Sequence, residues 1–106
     1  MKLFERIIMT YMRDIGESCY RIVSTRRGHG NVSYKIVTYD SDCKKTGEIE
    51  LVVSVNKEGI VRISDGGGAD LLKELQEKYP RDDVSARYNM MKKNAIPRKR
   101  MELMYA

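Results

Sequence analysis

Residues 48–64, with the sequence EIELVVSVNKEGIVRIS, contain two apolar segments separated by a short polar turn. In the first segment Ile49, Leu51 and Val53 occupy alternate positions, so their side chains lie on one face of a β-strand. The second segment, residues 60–64, begins directly after the turn. Because so short a connection has no room for a crossover helix, the two strands should pair antiparallel.

Two further segments that precede this hairpin have the composition of strands. Residues 19–26 are rich in β-branched side chains, and residues 31–40 alternate apolar with polar side chains. A loop with two glycines joins these segments, and a polar connection follows the second one. The sequence therefore predicts a four-stranded antiparallel meander, whose apolar face needs helices as cover.

Amphipathic helices are predicted before and after the strands. Residues 2–15 place apolar side chains at the helical spacing, and Gly16 follows where a left-handed residue ends a helix. Residues 69–78 form a second such pattern, and Asp82 or Asp83 can cap a third helix. The predicted fold class is α+β, with an amino-terminal helix, the meander, and two to three carboxy-terminal helices packed on one face.

Length and composition indicate a single globular domain over residues 1–106. The chain has 106 residues, of which 42% are hydrophobic and 33% charged. We find no internal repeat and no linker. Residues 96–106 are predicted to be either a basic tail or a short final helix.

The apolar segments are too short for a membrane protein. None approaches the roughly 18 residues that a membrane span needs, and acidic residues interrupt the start of the chain where a signal peptide would be apolar. Cys19 and Cys43 lack CxxC spacing, so we expect free thiols, buried or half-buried. We therefore expect a cytoplasmic protein with no membrane partner.

The glycine-rich stretch ISDGGGAD, residues 63–70, raises the question of a phosphate-binding loop. A Walker loop places a lysine and a hydroxyl residue after its last glycine, where this chain has Ala69 and Asp70. Asp65 and Asp70 would also occupy the positive end of the following helix and repel a phosphate. The stretch is therefore predicted to turn the chain from sheet to helix.

The sequence offers little chemistry for catalysis. His29 is the only histidine, and no acid is placed to orient it as a general base. The chain has no G-x-S-x-G elbow, and its carboxylates lack metal-ligand spacing. We expect no catalytic residue, no metal and no cofactor, and a small enzyme using His29 with nearby carboxylates is the third of three hypotheses.

The charge of the chain points to an anionic partner. The formal net charge is +5, and residues 81–106 hold seven cations against three anions. Interleaved tyrosines such as Tyr20, Tyr34 and Tyr88 suit base stacking on a single strand. The predicted contacts with nucleic acid or an acidic partner are Arg26, Arg27, His29, Lys92, Lys93, Arg98, Lys99 and Arg100.

The order of strand, ISDGGG and helix over roughly residues 47–79, with the small size and basicity, resembles small accessory proteins of phages and mobile elements. This class includes anti-CRISPR inhibitors. The resemblance implies a protein that binds a nucleic-acid-handling machine, or its nucleic acid, without catalysis.

The leading hypothesis is accordingly a non-catalytic binding module for nucleic acid or for a protein complex that handles it, such as a phage-encoded inhibitor. The alternative is a homo-oligomeric interaction module, for example a homodimer, with an adaptable apolar carboxy-terminal surface. That surface would comprise Met90, Met91, Met101 and Met104.

Overall fold

The computed structural model describes residues 3–91. Helix α1, Leu3–Asp14, precedes four strands, and helix α2, Leu71–Lys78, follows them. The strands are β1, Tyr20–Arg27; β2, Asn31–Tyr39; β3, Lys45–Val55; and β4, Val61–Asp65. A third helix, α3, occupies residues 84–91, up to the last described residue. The predicted α+β order of helix, four strands and carboxy-terminal helices is confirmed.

The four strands form one antiparallel sheet in the order β1-β2-β3-β4, which is the predicted meander. Tyr34 lies opposite Leu51, and Val53 lies opposite Ile63, so apolar side chains of neighbouring strands are adjacent. All four side chains are buried. The apolar alternation fixes this register, because a slip of one residue would turn the same side chains towards solvent.

The helices pack on one face of the sheet and enclose the core. Ile7, Ile8 and Met12 of α1 have no exposed surface. Leu75 of α2 and Val84 of α3 belong to the same cluster, together with the inward side chains of the strands. The apolar stripes of the predicted helices therefore cover the apolar face of the predicted sheet.

The ends of the helices follow local signals in the sequence. Gly16 has a φ of +85° and ends α1 as predicted, so the chain turns and β1 runs back beside the helix. Asp70 caps α2 by accepting a hydrogen bond from the Lys73 backbone N–H at 3.1 Å. Asp83, one of the two predicted caps of α3, accepts a hydrogen bond from the Ala86 backbone N–H at 3.1 Å.

Strand β3 begins at Lys45, earlier than the predicted start at residue 48. The added residues are polar, and they continue the backbone pairing with β2. The Thr38 and Thr46 hydroxyls are 2.9 Å apart, and Tyr39 pairs with Lys45 beyond an irregularity in the register. Cross-strand pairing therefore extends β3 where its side chains give no apolar alternation.

The two cysteines are free, as predicted, but both are exposed. The expectation that they are buried or half-buried was wrong. Cys19 lies in the connection before β1, and Cys43 lies in the turn between β2 and β3 with a φ of 63°. Their positions in connections outside the core outweigh the general tendency of free thiols to be buried.

Candidate binding surface

The excess positive charge of the chain lies outside the described residues. Residues 3–91 contain 14 lysines and arginines and 14 aspartates and glutamates, so this part is formally neutral. The whole net charge of +5 therefore falls on residues 1–2 and 92–106. Five of the predicted contacts lie there, outside the described residues: Lys92, Lys93, Arg98, Lys99 and Arg100.

Within the neutral part, arginines gather on two adjacent elements. Strand β1 carries Arg21, Arg26 and Arg27 and has no acidic residue. Helix α1, which lies beside β1, adds Arg6 and Arg13. We call these five residues the arginine cluster, of which Arg21 and Arg26 lie on the sheet face away from the helices and the other three lie on the helix side.

The arginine cluster is not neutralised by ion pairs inside the described part of the chain. Between residues 3 and 91 the salt bridges join Lys45 to Glu48 and Arg87 to Asp14. The hydrogen bond from Arg87 to Asp14 also raises the pKa of Arg87. None of the five clustered arginines has an acid at salt-bridge distance in this region, which leaves their charges available to a partner.

The pairing with β2 separates Arg26 from Arg27. Arg26 lies opposite Ser33, on the face of the sheet away from the helices, whereas Arg27 lies opposite the buried Val32 on the helix side. The two residues that the sequence suggested as a joint contact therefore point to opposite faces. His29 is exposed in the loop that follows β1.

Two grooves run along the seam between α1 and β1. The larger groove, of about 540 Å³, is lined by Arg6, Met9 and Arg13 of α1 and by Tyr20 at the start of β1. A partner side chain in this groove would meet apolar surface with two guanidinium groups beside it.

The smaller groove, of about 320 Å³, lies at the other end of the seam. Leu3 and Phe4 of α1 line it, with Ile22, Arg27 and Tyr34 from the sheet. Each groove therefore combines an apolar lining with at least one residue of the arginine cluster and one glutamate, which is Glu17 in the larger groove and Glu5 in the smaller one.

Strand β1 is also an edge of the sheet. It pairs with β2 on one side, and no described residue pairs with its other side. The Gly28 N–H donates to the Asn31 carbonyl at 3.0 Å, just beyond the pair Arg27–Val32. Because hydrogen-bonded and non-hydrogen-bonded pairs alternate in an antiparallel ladder, the N–H and C=O groups of Thr25 and Arg27 point away from β2.

Of the three tyrosines suggested for base stacking, two are buried in the core. Tyr34 and Tyr88, suggested as stacking platforms, are buried, at 5% and 0% exposure. Burial is the main reason why the pKa of Tyr34 is raised above its ordinary value. Tyr20 is half-buried and lines the larger groove, and it exposes more surface to a partner than Tyr34, which lines the smaller groove.

The glycine-rich loop has the structural role that its sequence predicts. The Asp65 carboxylate accepts hydrogen bonds from the backbone N–H groups of Gly67, at 2.8 Å, and Ala69, at 2.9 Å. Gly68 has a φ of +90° and donates its N–H to the Asp65 carbonyl. A carboxylate of the protein thus takes the donors that a phosphate would need.

Two further findings on the described residues concern metal ligands and membrane spans. Residues 3–91 contain no group of three or more histidine, cysteine, aspartate or glutamate side chains that could hold a metal ion. None of the helices in the same region combines the length and apolar character needed to cross a membrane.

Sequence reasoning missed Arg6 and Arg13 as site residues, because on an amphipathic helix they resemble ordinary solvated charges. The sequence places Arg21 on the strand that leads to Arg26 and Arg27, but the predicted contacts do not include it. A signal was present in the short connection between α1 and β1, residues 15–19. A connection of this length makes the two elements neighbours in space, although it does not determine which of their arginines share a face.

Comparison with known proteins identifies no relative. No protein-family model matches the chain, and neither the curated proteins nor the solved structures contain a significant match.

Proposed function

We propose that the protein is a non-catalytic module that binds an anionic partner, a nucleic acid or a protein that handles nucleic acid, through the surface formed by α1 and β1. The observation that carries this proposal is the arginine cluster. It comprises five arginines on two adjacent elements without an ion-pair partner among residues 3–91.

The physical basis is an uneven distribution of charge within a formally neutral fold. Helix α1 and strand β1 together carry five arginines against two acids, whereas β4, the Asp70 cap and α2 carry three cations against four acids. A polyanion is therefore attracted more strongly to the arginine cluster than to the opposite edge of the sheet. The basic residues beyond residue 91 add to the same attraction wherever they contact the partner.

The test is salt-dependent binding of a fluorescent 20-nucleotide oligo(dT) strand, measured by anisotropy. Replacing Arg21, Arg26 and Arg27 with alanine should weaken binding at least tenfold. The slope of log affinity against log salt should fall by about 2, since each phosphate contact on a single strand contributes about 0.7.

A matched control removes the same charge near the opposite edge of the sheet, at β4, by replacing Lys57, Arg62 and Lys73 with alanine. These side chains are exposed and lie outside the arginine cluster. The control should retain most of the affinity, because it leaves the cluster intact. Equal losses in both triple variants would show that binding follows net charge alone and would overturn the proposed surface.

The second candidate function is self-association, which two exposed methionines favour. Met9 of α1 is 47% exposed, and Met90 of α3 is 53% exposed. Met90 and Met91 line a groove together with Arg6 and Arg13. A dimeric mass at low micromolar concentration that Met9→Ser and Met90→Ser abolish, with no binding of oligo(dT) at low salt, would favour this function.

A further inference from the structure

We propose that the outer edge of β1 binds an extended acidic segment of a partner protein as a fifth strand of the sheet. This inference rests on the proposed function, since it names the class of partner that the same surface takes. It joins three features that lie at one place: an unpaired strand edge, two grooves beside it, and the arginine cluster.

The strand edge supplies backbone hydrogen bonds. Strand β1 has eight residues, and no described residue pairs with its outer side. The outward N–H and C=O groups of Thr25 and Arg27 lie beyond the bulge at Val23, where the ladder with β2 continues to the end of the strand. An extended segment that pairs here gains the main-chain bonds of strand addition.

The grooves supply pockets for side chains. A strand beside β1 places every second side chain on the helix side of the sheet. On that side the seam with α1 offers a groove at each end, one lined by Met9 and Tyr20 and the other by Phe4 and Ile22. Side chains of the added strand on this side would meet apolar surface rather than water.

The arginines select the charge of the added strand. Arg27 lies on the helix side of β1, and Arg26 lies on the other face. An added strand would meet Arg26 on the face away from the helices and, on the helix side, Arg27 together with Glu5 of the smaller groove. Carboxylates are therefore favoured on the face away from the helices, and apolar side chains on the helix side.

Charge argues against a second copy of this chain at the same edge. If two β1 strands paired antiparallel over their full length, Tyr20 would lie opposite Arg27 of the other copy, and Arg21 opposite Arg26. Opposed like charges on neighbouring strands are destabilising. The carboxy-terminal segment beyond residue 91 is also basic, so it is not complementary to this edge.

The outer edge of β1 also disfavours pairing with an uncharged strand. The bulge at Val23 breaks the regular ladder, and the arginines are unfavourable neighbours for an apolar segment. These devices protect β1 from non-specific pairing and leave an acidic segment as the favoured occupant.

The test uses a capped synthetic peptide of eight residues that alternates glutamate with threonine or valine. Its matched control has the same sequence with every backbone nitrogen methylated, which keeps the four carboxylates and removes the backbone donors. We expect the first peptide to bind the full chain in a salt-dependent manner, and the methylated peptide to bind at least tenfold more weakly.

Amide hydrogen exchange supplies a direct readout of pairing. In the complex the amides of Thr25 and Arg27 should gain at least tenfold protection, while exposed amides of the β2–β3 turn should not change. The variant Thr25→Pro removes one outward donor from an edge position that tolerates proline, and it should weaken peptide binding. Thr25→Val keeps the donor and changes only the side chain, which lines the smaller groove. The loss of peptide binding should therefore be larger in Thr25→Pro than in Thr25→Val, and equal losses would contradict a role for the donor.

The outcomes separate this inference from the proposed function. If both peptides bind equally, charge attraction stands and strand pairing is overturned. If neither peptide binds but oligo(dT) does, and its binding depends on Arg21, Arg26 and Arg27, the partner is a nucleic acid and the inference fails. Protection of Thr25 and Arg27 in a dimer without peptide would assign the edge to a second copy. If nothing anionic binds, both proposals fail.

Discussion

The two edges of the sheet differ in whether other parts of the described chain cover them. At β4 the chain covers its own edge: the Val61 N–H donates to the Asn89 side chain at 2.8 Å, and Ser64 forms a bridge with Asp70. At β1 no described residue covers the outer edge. The covered strand has five residues and the uncovered one has eight.

Charge follows the same division. Asp65 and Asp70 lie beside the covered edge, whereas β1 has three arginines and no acid. Natural sheets usually protect an edge, because an open ladder invites pairing with other chains. Among residues 3–91 the edge of β4 is covered by a helix and a loop, whereas the edge of β1 has only its bulge and its charges as protection. This difference is the basis for proposing the edge of β1 as the binding surface.

The largest effect should come from detaching the helix that covers β4. Tyr88 of α3 is fully buried, and its hydroxyl donates to the Asp14 carboxylate at 2.7 Å. Tyr88→Ala should cost about 3–5 kcal/mol of unfolding free energy, measured by urea denaturation. It should also speed hydrogen exchange at the Val61 amide, because Asn89 lies on the same helix.

The control for this change is Tyr88→Phe. It keeps the ring in the core and removes the hydrogen bond to the carboxylate, so the cost should be about 1–3 kcal/mol. A loss below 1 kcal/mol for Tyr88→Ala would show that α3 is not needed to hold the covered edge.

A smaller effect separates the two edges directly. Asn89→Ala leaves the part-buried Val61 N–H without its acceptor and should cost about 1–3 kcal/mol. Thr25→Ala on β1 removes no described hydrogen bond of the side chain and should change stability by less than about 0.5 kcal/mol. Both are measured from urea midpoints, and equal costs would contradict the distinction between the edges. Asn89→Asp keeps an acceptor and should recover part of the loss.

In the loop that follows β4, an alanine substitution should destabilise the protein at Gly68 and be tolerated at the neighbouring Gly67. Gly68→Ala places a side chain at a φ of +90°, which should cost about 1–2 kcal/mol of unfolding free energy. Gly67→Ala is the matched control, because its new Cβ would meet only the Asp65 carboxylate, at 3.4 Å. Thermal unfolding of the two variants checks the difference, and equal losses would show that backbone strain is not the cause.

The smallest effect concerns alkaline pH. Burial, with the hydrogen bond to Asp14, raises the pKa of Tyr88 above its ordinary value of 10. The folded state therefore holds this proton more tightly than the unfolded state, and stability present below pH 10 is lost as pH rises above it.

For Tyr88 alone this loss is about 0.4 kcal/mol at pH 10 and approaches about 1.4 kcal/mol for each further pH unit. Urea titrations at pH 8, 9, 10 and 10.5 should show a shallower decline in Tyr88→Phe than in the unmodified protein. The decline does not vanish in the variant, because burial also raises the pKa values of Tyr11 and Tyr34. Parallel declines in the two proteins would contradict the role of Tyr88.

The fold was predictable where local periodicity carries it. The alternation of Ile49, Leu51 and Val53 fixed a strand and its inward face, and Gly16 marked the end of α1. The start of β3 at Lys45 was not predictable in this way, because it depends on backbone pairing with β2. The end of a strand cannot be predicted from apolar alternation where its residues are polar and are held in place by pairing with a neighbouring strand.

The site was predictable only in part. Strand alternation alone separates Arg26 from Arg27, so their placement on opposite faces follows from a rule that the sequence already supplies. The convergence of Arg6 and Arg13 with β1 depends on how a helix packs on a sheet, which local spacing does not determine. The burial of Tyr34 follows from its alternation with Val32, whose inward face it shares.

The hydrogen bond between Asp14 and Tyr88 joins positions 74 residues apart in the chain. During synthesis α1 leaves the ribosome before α3, and it cannot make this contact until α3 has emerged. The contact therefore forms late in the folding of residues 3–91, as expected of a fold that depends on distant contacts. A nascent chain halted before residue 88 should accordingly lack this contact and be a substrate for chaperones and proteases.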